Sequence, residues 1–284
     1  NHITNCDGSQ TYSYEDLDKN RDGKIDSITV IYKNTTQNIV INRSDPLWNY
    51  KDYADYVEIN LGDGRMLQSK YYVQVINNYS TLYKANNDQK PIVSLKSPIH
   101  EMGHIFGLLD LYNSSGQTPV YFMSAMANAI SPVPQGLSIK EKEALGWTDD
   151  STLKTITEPG EYKVKLSGTA TGTDDCIGYK AGIPELNRTL YLEYRNFSTD
   201  GSKYDKSEKQ LTNSETSNIK SGLVCYLAQP DIRFPSNLNG KPGNWALEVM
   251  GGTQSTKSDA ALGVNDSLQV TDKLKVTVTA IEGD

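Results

Sequence analysis

The sequence predicts an α+β protein, with a mixed first part over residues 1–150 and a β-rich second part over residues 151–284. Three observations carry this expectation. Two β-branched, apolar runs precede the clearest helix start in the chain. A second helical pattern follows that start. After Asp149-Asp150 the texture changes to short alternating segments separated by Gly, Pro, Asn and Ser, which is the pattern of an antiparallel β-sandwich-like module.

The elements follow in order. Glu15 to Asp26 is a run of acids and amides around Gly23, and it leads into Ser27–Tyr32, which reads as a buried strand. Residues 33–60 are irregular, with Pro46 and Trp48 in an expected loop. Tyr71–Ile76 is the second strand, closed by Asn77-Asn78. The first helix starts at Ser97, whose hydroxyl can cap free amides, with Pro98 at the first helical position and Ile99–Phe106 supplying the apolar face. Gly107 is placed to end it, because a helix terminus often needs the left-handed conformation. A second helix is expected over Ser138–Leu145, ending at Gly146-Trp147. In the second part, Glu161–Leu166, Arg188–Arg195, Leu223–Ala228, Trp245–Met250 and Leu274–Ile281 are the expected strands. Asn196–Lys220 is polar and reads as a long loop or an edge hairpin.

Composition excludes several classes of function. At 284 residues, 37% hydrophobic and 22% charged, the chain is neither collagen-like nor a highly charged disordered polymer. A net charge of −7 argues against nucleic-acid binding, which draws on clustered Lys and Arg. No apolar run approaches the roughly 20 residues that cross a bilayer. The 18 Tyr against 4 Phe suggest half-buried β surface, where a ring packs and its hydroxyl stays wet. Cys6, Cys176 and Cys225 match no metal-binding spacing; a Cys176–Cys225 bridge and three buried thiols are both open readings. A chain starting at Asn1 is expected to be processed or trimmed.

One motif decides the class of chemistry. Residues 100–110 read His100-Glu101-Met102-Gly103-His104-Ile105-Phe106-Gly107-Leu108-Leu109-Asp110. On a helix, His100 and His104 stack on one face, so both imidazoles can reach one zinc ion. Glu101 sits beside that face, where a carboxylate can serve as general base towards water. Zinc needs a third protein ligand and an open fourth position. His2 is the other histidine and lies at the terminus. Gly107 allows a sharp turn that brings Asp110 back, so Asp110 is the expected third ligand. With 3 His in the chain, an accidental pattern of this kind has a probability of roughly one or two in a thousand.

His-Glu-x-x-His-x-x-Gly-x-x-Asp resembles the zinc signature of the immune inhibitor A-type peptidases, secreted bacterial metzincin-like enzymes in which Asp replaces the usual third His. Further segments are similar to that family: Leu17–Asp26 ahead of a strand, Tyr121-Phe-Met-Ser124, Leu137-Ser-x-x-x-Lys-x-x-Leu-Gly-Trp147, Tyr191-Leu-Glu-Tyr-Arg195 and Gly222-Leu-Val-x-Tyr226. The resemblance implies a metzincin-like zincin catalytic domain over residues 1–150, lacking its usual first strand and helix or carrying a rebuilt start. It also implies that Met123 forms a Met-turn under the zinc. Tyr121 stands where the family usually has an acid. Tyr112 and Tyr121 are candidate oxyanion stabilisers. Glu193 and Arg195, two apart on a strand, are an expected ion pair.

Asp18, Asn20, Asp22, Lys24 and Asp26 occupy alternate positions around Gly23, the oxygen-ligand spacing of an EF-hand loop, with Lys24 giving its backbone carbonyl. The twelfth position is Thr29 and a strand follows, so the expectation is a calcium-stabilised loop completed from elsewhere. The plain reading is a solvated Asp/Gly turn. The expected function is therefore a secreted, extracellular zinc endopeptidase with calcium as a second ion, acting on a protein or peptide substrate lying along an edge strand, with Tyr71–Ile76 as the candidate. The alternative is a non-catalytic zinc- and calcium-binding adhesion or pseudo-enzyme module.

Overall fold

The computed structural model describes residues 2–4, 11–13, 18, 20–22, 28–32, 50–52, 57–60, 66–69, 72–76, 96–113, 115–127, 136–165, 176–197, 219–229, 245–253 and 257–282. They belong to an α+β protein, mostly sheet with few helices. The chain divides into two compact units, Asn1–Ile105 and Phe106–Asp284. This division follows packing, whereas the change near residue 150 is one of residue pattern.

In the first unit, β1 (His2–Thr4) and β2 (Thr11–Ser13) form an antiparallel pair. A three-stranded sheet gathers β3 (Ile28–Tyr32), β4 (Tyr50–Asp52) and β7 (Tyr72–Ile76) in the order β3-β7-β4. β5 (Val57–Asn60) and β6 (Met66–Ser69) form a separate antiparallel pair. β4 and β5 thus occupy part of the stretch expected to be irregular. The strand expected at Ser27–Tyr32 is β3, and that at Tyr71–Ile76 is β7. β7 runs parallel to β3 and antiparallel to β4. It is a middle strand, paired along its length with β3 and over Tyr72–Gln74 with β4, so it is not the edge strand expected for a substrate. α1 (Lys96–Ile105) packs on β4 and β7. It starts at Lys96, one residue before the expected cap, so Ser97 lies within the first turn. Pro98 is tolerated there because the first four amides of a helix have no intrahelical acceptor.

The second unit is built on a five-stranded sheet, ordered β12-β11-β10-β9-β8. Its strands are β8 (Leu153–Thr155), β9 (Gly178–Ile183), β10 (Arg188–Arg195), β11 (Gly222–Ala228) and β12 (Leu247–Val249). Neighbours are antiparallel except β8 and β9, which are parallel. A hairpin of β13 (Ser267–Thr271) and β14 (Leu274–Thr277) completes the strands among the described residues. The expected strands at 188–195, 223–228 and 245–250 are present as β10, β11 and β12, and that at 274–281 as the shorter β14. Residues 161–165 form no strand; Lys165 N donates to Cys176 O at 2.8 Å. β9 escaped the sequence because Gly178-Tyr-Lys-Ala-Gly-Ile183 has low strand propensity, and its pairing with β10 imposes the conformation. Most of the polar stretch 196–220 lies outside the described residues.

Strand periodicity explains how this sheet is covered. On β10, Leu190 and Leu192 face one side while Tyr191 and Glu193 face the other; on β11, Cys225 and Leu227 alternate with Val224, Tyr226 and Ala228. The first set packs with Leu262 and Val278 and with Leu268, Val270, Leu274 and Val276 of the hairpin. The second set packs with Leu108, Leu111, Val120, Met123 and Met126, and with Ile139 of α2 (Ile139–Ala144). The sheet is therefore a middle layer, and each fully buried Leu or Phe in it contributes about 1.5–3 kcal/mol. Because one cluster runs from Leu108 to Ala261, segments on both sides of residue 150 share a core.

α2 shows how local sequence sets an element. Ser138 caps it in a capping box with Glu141. At its end Gly146 N donates to Glu143 O and Trp147 N to Lys142 O, both at 2.9 Å, the bond pair of a Schellman motif. Cys176 and Cys225 are buried free thiols, so the open question of a bridge resolves against it. Cys225 is on β11, whereas Cys176 precedes β9, and β10 runs between these two strands. Burial pushes the Cys225 thiol up to about 12. Cys6 lies outside the described residues.

Candidate metal centre

α1 carries the two histidines one turn apart. The His100 and His104 ring centroids are 4.9 Å apart and the rings are nearly perpendicular, at 86°. The helix stops at Ile105, and Gly107 has φ +93°, a left-handed conformation that a residue with a Cβ adopts only under strain. The chain turns there as expected, and Leu108 is buried just beyond it. Asp110 follows three residues after the turn. One ligand atom from each of His100, His104 and Asp110 lies within 4.8 Å of the others, and all three residues are half-buried. Among the described residues this is the one group of three or more His, Cys, Asp or Glu side chains gathered so closely.

The donor chemistry fits zinc. Two imidazole nitrogens and one carboxylate oxygen are ligands that zinc takes at about 2.0–2.2 Å, and three protein ligands leave a fourth position free. Such a gathering is necessary for zinc and not sufficient for it, because acidic side chains also cluster without an ion. Glu101, next to His100, is buried at 8% exposure, while Met102 on the following position is 42% exposed.

The segment after Asp110 is held by a web of hydrogen bonds. Leu111 N donates to Met126 O at 2.9 Å, and Thr118 Oγ1 donates to Leu111 O at 2.7 Å. Tyr121–Met123 forms a short 3-10 turn, with Tyr121 at φ +39°. A tyrosine in the left-handed region is held there by its surroundings. Met123 is fully buried among Leu108, Leu111 and Met126, as both a Met-turn and an ordinary core methionine require. Tyr112 and Tyr121 are both half-buried.

Below that segment lies a buried polar network that the sequence only half announced. Arg195 Nη1 donates to Met123 O and to Glu193 Oε1, each at 3.2 Å, so the expected ion pair is present. Tyr226 OH donates to the same Glu193 oxygen at 2.5 Å. Lys142 Nζ lies 3.9 Å from the other oxygen. Burial, then the Glu193 charge, drive the Tyr226 hydroxyl pKa well above its ordinary value. Tyr226 and Glu141 were missed as partners. The signals were there: charged residues alternating within Leu-Tyr-Leu-Glu-Tyr-Arg, and a Ser-x-x-Glu capping box.

In the acidic loop, Asp18 Oδ1 and Asn20 Oδ1 accept from Asp22 N at 3.1 and 3.0 Å, and Asn20 Nδ2 donates to Asp22 Oδ2 at 3.4 Å. These are bonds of an Asx-type turn, which both the calcium reading and the plain turn reading accommodate. Lys24 and Asp26 lie outside the described residues.

No family model, curated protein or solved structure matches the chain. Its functional reading therefore stands on its own residues. No helix among the described residues is long and apolar enough to cross a membrane.

Proposed function

We propose that the chain is a secreted zinc endopeptidase of the immune inhibitor A type, in which His100, His104 and Asp110 hold the metal. The observation that carries this reading is the approach of the three ligand atoms to within 4.8 Å, on the one stretch where His-Glu-x-x-His stands in the sequence. Zinc bound there would supply Lewis acidity towards a scissile carbonyl and make a water easier to deprotonate. Glu101 takes the proton from the attacking water as its oxygen bonds to the carbonyl carbon. The same carboxyl then gives that proton to the leaving amine as the C–N bond breaks, and so returns to its starting state. Met123 would form the apolar floor of the site. Asp18, Asn20, Asp22, Lys24 and Asp26 would hold a calcium ion that stiffens the loop before β3.

The test is elemental analysis of the purified chain together with casein digestion, with and without chelator. About one zinc per chain and chelator-sensitive cleavage support the reading. Glu101→Ala should keep its zinc and lose cleavage; turnover retained in that variant ends the assignment of Glu101. Zinc without any cleavage in the unsubstituted chain favours the non-catalytic binding module.

A further inference from the structure

We infer that Arg195, Glu193, Tyr226 and Ser124 form a positioning device for Asp110, fixing the backbone from which this carboxylate reaches the metal. The inference rests on the zinc reading above and concerns residues outside the metal-binding motif.

Asp110 is followed directly by Leu111, whose amide is bonded to Met126 O and whose carbonyl is bonded to the Thr118 hydroxyl. The direction in which the chain delivers Asp110 is thus set by the segment 118–126. That segment has little regular structure of its own: one three-residue turn, with Tyr121 in a strained conformation. Its first part is held by the Thr118 hydroxyl, which accepts from Val120 N and Tyr121 N, and by Val249 N, which donates to Pro119 O at 3.0 Å; two side-chain clamps hold its second part, 123–126. Arg195 grips Met123 O at 3.2 Å. The Ser124 hydroxyl accepts from Met126 N at 3.0 Å while donating to Glu141 at 2.6 Å, so it fixes the residue whose carbonyl receives Leu111.

The Arg195 clamp is itself anchored on the sheet. Glu193 lies two residues before Arg195 on β10, and its carboxylate ties Arg195 to the Tyr226 hydroxyl on β11. Ser124, Glu193 and Tyr226 are fully buried, and Arg195 is 3% exposed. A buried ion pair is a poor source of stability, since apolar residues of similar volume often do as well. What a guanidinium adds is geometry: it pins a main-chain carbonyl in one place through a directional, charge-assisted bond. Metal ligands need that accuracy, and partners behind the ligands commonly set affinity.

The experiment compares zinc dissociation constants of the full-length chain and its variants, by competition with a chromophoric chelator. Thermal melting of the metal-free proteins is recorded alongside. Ser124→Ala and Arg195→Met each remove one clamp. Tyr191→Phe is the control: it removes a 2.7 Å bond to Glu143 in the same unit and leaves the 118–126 segment alone. We expect Ser124→Ala and Arg195→Met to weaken zinc binding roughly 10-fold or more, with Tyr191→Phe unchanged even if its melting temperature falls equally. Unchanged zinc affinity in Ser124→Ala overturns the inference, and so does an affinity that merely follows melting temperature across all three variants. Should Arg195→Met fail to fold, Ser124→Ala decides alone. An unsubstituted chain that binds no zinc overturns the zinc reading and the inference with it, whereas tight binding with an indifferent Ser124→Ala overturns the inference alone.

Discussion

The Ser124 hydroxyl donates to Glu141 Oε1 at 2.6 Å across 17 positions of sequence, while Glu141 Oε2 accepts from Ser138 N at 2.7 Å and from Ser138 Oγ at 2.6 Å. One buried carboxylate therefore closes the cap of α2 and ties down the loop that carries Met123. Burial raises the pKa of this carboxyl, although three hydrogen bonds pull the other way. Glu141→Ala breaks the cap and the tether together and should destabilise the protein by about 3 kcal/mol in urea unfolding. A loss no larger than that of an ordinary exposed cap would show that the tether contributes nothing.

On the proposed zinc reading Asp110 is a direct ligand, so Asp110→Ala should weaken zinc binding by more than the roughly 10–100-fold that outer-shell partners cost. Asp110→His should retain zinc, because imidazole is an equally suitable third donor. Competition with a chelator reads both. Equal affinity in Asp110→Ala and the unsubstituted chain would remove Asp110 from the site.

Gly222 and Gly182 make a matched pair. A Cβ on Gly222 would run into the Leu262 carbonyl oxygen, at the point where Leu223 at the start of β11 forms an antiparallel bridge with Leu262, and Gly222 has φ +153°. A Cβ on Gly182 would meet nothing within 4 Å. Gly222→Ala should cost about 2–4 kcal/mol and Gly182→Ala less than about 1 kcal/mol in chemical unfolding. Similar losses in the two variants would contradict the close approach.

Stability in acid should report on Glu143. Burial alone would raise its carboxyl pKa, but hydrogen bonds from Lys140, Lys180 and Tyr191 outweigh it and hold the group at about 2. A depressed carboxyl pKa stabilises the fold above the ordinary glutamate value, and that contribution is lost as pH falls through about 2. Glu143→Gln should therefore be about 2 kcal/mol less stable than the parent near pH 6, after allowance for partial solvent exposure. The gap should close as pH is lowered from about 4.5 to about 2. A difference that stays constant with pH would mean that the ion pairs with Lys140 and Lys180 are not formed in solution.

Features written in neighbouring residues were readable from the chain itself. The turn of α1 that stacks His100 on His104, the reversal at Gly107, the box of Ser138 with Glu141 and the alternation in β10 and β11 all depend on contacts a few positions apart. Local spacing is enough to specify such features, because helix and strand periods translate directly into faces. Features that depend on distant partners were not readable. β9 is a strand because β10 lies beside it, and β7 is a middle strand because β3 and β4 flank it; that Cys176 and Cys225 are both free buried thiols is likewise a matter of where the chain places them. The clamp of Arg195 on Met123 spans 72 positions. Burial and cross-strand neighbours decide such pairings, and a sequence lists its residues without saying which of them will meet.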